Sequence, residues 1–216
     1  MARTYAIPDL HGRFDLLVKT VAAITQLGGG TVVFLGDYVD HGPESRQAVE
    51  CLLQGAPAGQ HWITLCGNHE VMMHRYCTGA TSRPLWLETG GAATLTSYGG
   101  LVPKAHLEWL RALPRLHVTP HRIFVHAGVD PDLPLEQQGD EILLWQRYSK
   151  WADTGHGTRH VVHGHTPHLS GPELRTRRTN LDTRSWQTGR LAVGVFDDDR
   201  PGGPLDVMWI ENRPFY

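Results

Sequence analysis

The sequence predicts an α/β fold, in a single domain that spans residues 1–216, and the pattern of apolar residues is the main reason. Short apolar runs alternate with longer segments whose apolar residues recur at helical spacing. Glycine, proline and polar residues separate these segments. A repeated strand–helix order implies parallel strands with right-handed crossovers, so the loops after the strands should meet at one edge of the sheet.

The first part of the chain contains three predicted strand–helix pairs. The strands are expected at residues 4–7, 31–35 and 62–65, and the helices at residues 14–27, 47–53 and 70–76. Three glycines at residues 28–30 stop the first helix, and Pro43 lies near the start of the second. A polar turn separates the third strand from its helix.

The second part of the chain has a less regular pattern. Residues 78–115 begin with a segment rich in Gly, Thr and Ser and end with helical spacing, so we predict a helical excursion near the edge of the sheet at which the loops meet. Further strands are expected at residues 117–118, 123–125 and 160–162, a helix at 141–148, and an antiparallel hairpin at 191–196 and 205–210.

Composition restricts the class of partner. The chain has 20 Lys and Arg against 22 Asp and Glu, so it lacks the basic excess that nucleic-acid binding requires. No apolar run is long enough for a membrane span, and no secretory segment precedes the first polar motif. We therefore expect a cytoplasmic protein without nucleic-acid or membrane partners, and its oligomeric state stays open. The three cysteines lack metal-site spacing and are expected to be free thiols.

Polar side chains follow each of the first three predicted strands. Asp9 and His11 stand two residues apart, so an extended backbone can point both at one ion. Asp9 alone could equally cap the following helix. Asp37 and Asn68 follow the second and third strands, each after a glycine that allows close backbone approach.

Two histidines complete this set. His126 and His165 each follow a later predicted strand and stand beside glycine. Together with the acidic and amide groups they supply oxygen and imidazole ligands, which suit manganese, iron, zinc or cobalt. The sequence therefore predicts a metal site at the carboxyl ends of the strands.

Five motifs carry a family resemblance: PDLHG, GDYVDHG, GNHE, HAG and GHT, in this order. They resemble the phosphoprotein phosphatase branch of the calcineurin-like metallophosphoesterases, in particular the short bacterial and phage serine/threonine phosphatases of the lambda type. The resemblance covers about residues 4–183. It implies a β-sandwich with flanking helices and an active site at the carboxyl ends of the strands.

The resemblance also implies two divalent metal ions, with manganese as the first expectation. Asp9, His11 and Asp37 would hold one ion. Asp37 would bridge to a second ion held by Asn68, His126 and His165. Two such ions can share a water, lower its pKa and direct it at phosphorus without a phosphoenzyme.

The same resemblance assigns catalytic and substrate-binding roles. His69 matches the general acid and Asp40 the carboxylate that orients it. Arg147 matches a phosphate-binding arginine, and Asn68 is also expected near the substrate. The family usually has arginine where this chain has His41, so either His41 binds phosphate less strongly or Arg46 takes that role.

Phosphoserine or phosphothreonine in proteins is the first substrate expectation. The alternatives are a symmetrical dinucleoside tetraphosphatase, a phosphatase for a small phosphorylated metabolite, and a metal-binding regulator whose site has decayed. The motif GNHE, rather than GNHD, favours the protein phosphatase over the dinucleotide enzyme.

Overall fold

The structure, a computed structural model, describes residues 2–81, 84–149 and 151–214. Its strands are β1 (Arg3–Ile7), β2 (Gly30–Phe34), β3 (Gln60–Thr64), β4 (Leu116–Val118), β5 (Arg122–Val125), β6 (His160–His163), β7 (Glu173–Leu174), β8 (Arg178–Asn180), β9 (Arg190–Asp197) and β10 (Asp206–Glu211). Its α-helices are α1 (Phe14–Gln26), α2 (Ser45–Gln54), α3 (Asn68–Cys77), α4 (Ala92–Ser97), α5 (Lys104–Ala112), α6 (Asp140–Trp145) and α7 (Ser185–Thr188). A wide helical turn covers Leu87–Gly91 and a 3₁₀ turn covers Leu135–Gln137.

Two five-stranded mixed sheets form the centre of the molecule. The first has the order β10-β9-β1-β2-β3, and the second has the order β4-β5-β6-β8-β7. In the first sheet β1, β2 and β3 are parallel, while β9 and β10 form the predicted antiparallel hairpin. In the second sheet β5, β6 and β8 are parallel, with antiparallel strands at both edges. The predicted α/β class is confirmed.

The two sheets pack face to face. Ala6, Val33 and Phe196 of the first sheet share a buried cluster with Phe124 and Val162 of the second. Because side chains alternate along a strand, the residues on either side of Phe124 point the other way and pack against Leu143 and Leu144 of α6. The opposite face of the first sheet is covered by α1, α2, α3 and α5. This arrangement confirms the predicted sandwich with flanking helices.

One predicted helix is shorter than expected. The spacing predicted a helix at residues 141–148, but α6 ends at Trp145, and Gln146 has extended backbone angles of φ −59° and ψ 139°. The hydroxyl of Tyr148 accepts the backbone N–H of Val129 at 2.9 Å and donates to the Val129 carbonyl at 3.1 Å. These tertiary contacts replace the last helical turn, so Arg147 lies on an extended segment.

The predicted excursion at residues 78–115 contains the wide turn, α4 and α5; residues 82 and 83 lie outside the described residues. In the part of the chain that the structure describes, no helix combines the length and apolar character that a membrane crossing requires.

Candidate active site

The six residues predicted to bind metal lie together at the carboxyl ends of the parallel strands. Asp9 follows β1, Asp37 follows β2, and Asn68 begins α3 just after β3. In the second sheet His126 follows β5 and His165 follows β6. The two sheets pack with these strand ends on the same side of the molecule. Residues more than 150 positions apart therefore meet, and the N–H of His165 donates to the Asp9 carboxylate at 3.1 Å.

The carboxylate of Asp37 lies at the centre of this group. Its Oδ2 is 3.4 Å from Nε2 of His126, 3.7 Å from Nε2 of His11 and 3.9 Å from Nε2 of His69. Asp9, His11 and Asp37 have ligand atoms within 4.8 Å of one another, and so do Asp37, His126 and His165. Asp37 belongs to both sets, as expected of a bridging ligand.

The hydrogen bonds of the imidazoles fit a cation. Nδ1 of His11 donates to the Val39 carbonyl at 2.8 Å, and Nδ1 of His126 donates to the Leu35 carbonyl at 3.0 Å. Each neutral ring therefore turns the lone pair of Nε2 into the site. Nε2 of His126 faces Oδ1 of Asn68 at 2.8 Å, so two acceptor atoms point at each other. A metal ion between such atoms would satisfy both.

The electrostatics agree with this fit. Burial and neighbouring carboxylates raise the pKa of Asp9 and of Asp37 well above the ordinary value. Burial and neighbouring imidazoles lower the pKa of His11 and of His126 well below the ordinary value. Buried acids that resist ionisation and imidazoles that stay neutral are both stabilised as ligands by a cation. Asp9, His11, Asp37, Asn68, His126 and His165 are thus suited to divalent metal.

Glycines allow the carboxylates to approach the backbone this closely. A Cβ added to Gly67 would collide with the Asp37 carboxylate, and one added to Gly164 would collide with that of Asp9. The glycine next to each ligand loop is therefore a steric requirement of the site.

Backbone strain is concentrated at this edge. Among residues 2–81, 84–149 and 151–214, six non-glycine residues have φ between 45° and 77°: His11, Asp37, Asp40, His41, His165 and Arg184. Five of them were predicted as site residues. Strained backbone of this kind tends to cluster at functional sites, so the sixth residue, Arg184, is a further candidate for the site. Sequence reasoning missed Arg184, because nothing in the pattern DTRS marks an arginine for the left-handed region.

A buried carboxylate holds the predicted general acid. Oδ2 of Asp40 is 2.6 Å from Nδ1 of His69, so the Nε2 of that ring faces the site. The same Oδ2 accepts the indole N–H of Trp86 at 2.7 Å, and Oδ1 accepts the hydroxyl of Thr94 at 2.7 Å. Asp40 is fully buried. The excursion after α3 therefore fixes the orientation of His69.

A cavity of about 330 Å³ opens above these groups. His41, Asn68, His69 and Arg147, predicted at the substrate side, all line it. The walls also contain Trp145, Asp182, Arg184 and Trp186, which the sequence did not single out.

Arg46 is placed elsewhere. It lies on α2, is exposed, and its Nε donates to Glu50 at 2.7 Å on the same helix. Arg46 does not line the cavity. Its placement does not support the expectation that it replaces the arginine absent from position 41, because its side chain is held along the helix surface.

His41 makes a different contact from the one expected of an arginine. Its ring stacks on Trp186 with centroids 4.4 Å apart and planes 7° apart. Burial and the neighbouring His69 lower the pKa of His41 to about 4. At neutral pH the ring is uncharged and supplies no cation to a phosphate.

A two-sheet α/β sandwich whose parallel strand ends gather buried carboxylates and neutral imidazoles is typical of a metal-dependent hydrolase. The chain belongs to the calcineurin-like phosphoesterase family, whose family model matches residues 2–200.

Two relatives and one solved structure are similar to this chain. The asymmetrical bis(5'-nucleosyl)-tetraphosphatase PrpE of Bacillus velezensis is 26% identical over 82% of this chain and 82% of that protein. The symmetrical bis(5'-nucleosyl)-tetraphosphatase of Neisseria meningitidis is 32% identical over 59% of this chain, and the match spans 44% of that protein's length. A crystal structure of a protein provisionally assigned as a diadenosine tetraphosphatase superposes with a TM-score of 0.73 and 24% identity, covering 98% of this chain and 94% of that one. The last similarity shows the fold alone.

Proposed function

We propose that this protein hydrolyses dinucleoside polyphosphates such as diadenosine tetraphosphate. The observation that carries the proposal is the pairing of an arginine with a tryptophan on each flank of the cavity. Arg147 and Trp145 lie on the flank of His165, and Arg184 and Trp186 lie on the flank of His41. Guanidinium groups bind phosphoryl oxygens, and an exposed aromatic ring such as that of Trp145 can bind a base by stacking.

The flank of His165 offers an apolar surface for a base. Trp145 is 39% exposed and Leu85 is 54% exposed, and both line the cavity together with Met72. The same three side chains line a second groove of about 320 Å³ that continues toward Arg75 and Trp86. Exposed large apolar side chains beside a polar centre are typical of a surface that a ligand covers. A small phosphate monoester would leave this surface in water.

The relatives support the same substrate class. Both are named as bis(5'-nucleosyl)-tetraphosphatases, one symmetrical and one asymmetrical. Among the alternatives left open by the sequence, the dinucleotide enzyme therefore has more support than the protein phosphatase that GNHE favoured.

We assign roles within this proposal as follows. Asp9, His11 and Asp37 would hold one divalent ion, and Asp37, Asn68, His126 and His165 a second. When bound, the ions would activate water and neutralise charge on the phosphoryl oxygens. His69 holds a proton near the leaving oxygen, and Asp40 fixes the ring. Arg147 binds the phosphoryl group that the water attacks.

A parallel substrate comparison tests the proposal. Diadenosine tetraphosphate, a phosphothreonine peptide and p-nitrophenyl phosphate would be offered to the purified protein with manganese, and Asp37→Asn would serve as the inactive control. We expect the highest kcat/KM for the dinucleotide. Two molecules of ADP would define symmetrical cleavage, and ATP with AMP asymmetrical cleavage. Faster cleavage of the phosphopeptide would overturn the proposal. If no substrate were cleaved faster than by the Asp37→Asn protein, the decayed-site alternative would hold.

A further inference from the structure

Arg184 lies in a strained loop that is tied directly to the proposed metal centre. Its backbone has φ 54° and ψ 51°, a left-handed conformation that is unfavourable for a residue other than glycine. The Arg184 N–H donates to Oδ1 of Asp182 at 2.8 Å. The next residue, Ser185, donates its hydroxyl to the Asp9 carbonyl at 2.8 Å.

A buried arginine fixes the other side of this loop. Arg13 donates to the Ser185 carbonyl at 2.9 Å, and its Nε donates to Asp15 at 2.8 Å. The backbone around Arg184 is thus held from several directions. A loop that is held from several directions can keep a strained residue in place. The side chain of the strained residue, Arg184, lines the cavity together with Asp182 and Trp186.

Ring contacts connect Arg184 with the proposed general acid. The guanidinium carbon lies 5.2 Å from the centroid of the Trp186 ring, within the range of a cation–π contact. Trp186 stacks on His41 at 4.4 Å, and the ring of His41 lies 5.5 Å from that of His69. Arg184 therefore belongs to the flank on which His69 meets the leaving group.

The chemistry of that flank calls for a guanidinium fork that His41 does not provide. An imidazole stacked flat on an indole presents only its edge and cannot form the two parallel bonds of a guanidinium. Arg46 points along the surface of α2. Of the side chains that line the cavity beside His41, Arg184 has the fork that matches two phosphoryl oxygens.

We infer that Arg184, supported by Trp186 and His41, forms a subsite for the second phosphate of a phosphoanhydride, on the leaving-group side of the metal centre. This inference rests on the proposed function. In hydrolysis the oxygen of water joins the attacked phosphorus, and the bridging oxygen departs on the second phosphate with the electron pair of the broken bond. The protons of the water pass to the products and solvent. The second phosphate gains negative charge as the bond breaks, and Arg184 stabilises that charge.

A substrate with one phosphate has no group for this subsite, and that difference gives the test. Arg184→Gly removes the guanidinium and suits the left-handed backbone, so the fold should be retained. We expect kcat/KM for diadenosine tetraphosphate to fall at least tenfold more than kcat/KM for p-nitrophenyl phosphate, because only the dinucleotide has a second phosphate that can accept a charge-assisted hydrogen bond from Arg184. Arg184→Lys, which keeps charge but not the fork, should recover part of the loss.

The matched control is Arg111→Ala, at an exposed arginine of α5, which should leave both rates unchanged. Equal losses on the two substrates, or no loss on the dinucleotide, would overturn the subsite. A second measurement keeps the inference separate from the proposed function. ADP and orthophosphate would each be titrated as inhibitors of p-nitrophenyl phosphate hydrolysis. Arg184→Gly should weaken inhibition by ADP more than inhibition by orthophosphate, whether or not the natural substrate is a dinucleotide; equal weakening would contradict the subsite.

Discussion

The carboxylate of Asp40 lies 2.6 Å from Nδ1 of His69, and this contact orients the ring toward the candidate metal ligands. Asp40 cannot turn away, because Trp86 and Thr94 donate to the same carboxylate and its own N–H donates to the Thr94 hydroxyl at 2.8 Å. Trp86 and Thr94 belong to the excursion after α3. A segment that looks peripheral in the sequence therefore positions the residue proposed to protonate the leaving group.

The first prediction follows from this pair. His69→Asn removes the proton donor and should lower the rate most for alkyl phosphates, whose leaving groups have high pKa values. The loss there should be about 10²–10⁴. Activated aryl esters should lose least, because their leaving groups depart without protonation. A leaving-group series measured under single-turnover conditions checks this expectation. A uniform loss across the series would argue against general acid catalysis by His69.

A second prediction concerns metal binding by Asp37. Burial next to Glu70 and Asp9 raises the pKa of Asp37, so this carboxylate opposes folding when no cation is bound. Asp37→Asn should therefore leave the metal-free protein as stable as the wild type, or more stable. The same change should reduce the bound metal measured by elemental analysis. It should also shrink the rise in Tm on adding manganese, since a ligand stabilises only the fold that binds it. A mutant with unchanged metal content and an unchanged rise in Tm would contradict the bridging role.

A third prediction concerns Glu70, which is fully buried. Its carboxylate accepts the backbone N–H groups of Asp37, Tyr38 and Gly67, each at 2.8 Å. Glu70→Gln places an amide donor against these donors and should lower the free energy of unfolding by about 1–3 kcal/mol or more. Urea denaturation measures the loss.

The control for this prediction is Glu108→Gln. Glu108 is 60% exposed in its side chain and pairs with Lys104 along α5. An exposed pair of this kind contributes about 0–1 kcal/mol. If both variants lost the same free energy of unfolding, the three hydrogen bonds of Glu70 would not stabilise the loops that contain Asp37 and Gly67.

A fourth prediction concerns pH and His160, which lies on β6 away from the site. Burial and the nearby Arg122 lower the pKa of His160 to about 4, while Asp153 opposes this change. The neutral ring fits its partners, with Nδ1 3.2 Å from the Thr176 carbonyl and Nε2 2.9 Å from the Thr179 hydroxyl.

The direction of the pH effect follows from these partners. An unfolded histidine binds a proton near pH 6.5, and the folded one only near pH 4. The contribution of His160 to stability is therefore full above pH 6.5 and is lost as pH falls toward 4, by roughly 1–3 kcal/mol. His160→Gln should reduce the slope of unfolding free energy over this range. An unchanged slope in the His160→Gln protein would contradict this contribution.

The position of Glu70 also bears on the substrate class that the sequence favoured. The motif GNHE, compared with GNHD, inclined the interpretation toward a protein phosphatase. In the structure this glutamate is buried beneath the loops after β2 and β3, where it accepts the backbone N–H groups of Asp37, Tyr38 and Gly67. It does not line the cavity, so its identity reports on loop packing and not on the substrate.

The strand ends could be predicted because each carries its own local signal. A polar residue shortly after an apolar run, with a glycine within three positions, is visible in the sequence at Asp9, Asp37, Asn68, His126 and His165. The periodicity of the first three strand–helix pairs gave their order and their parallel direction, which the sheet confirms. The end of α6 was mispredicted because the contacts of Tyr148 with Val129 outweigh helical spacing.

The sequence by itself predicted the loops that carry the candidate metal ligands, and it determined the family and the α/β class, because short-range patterns encode strands, helices and the residues that follow them. Only the tertiary structure decided what surrounds these candidate ligands. Trp86 and Thr94 reach Asp40 from 46 and 54 residues away, and the loop of Arg184 joins the site through a bond between Ser185 and Asp9 that spans 176 residues. Such contacts depend on how two sheets pack, and no local pattern of residues records them.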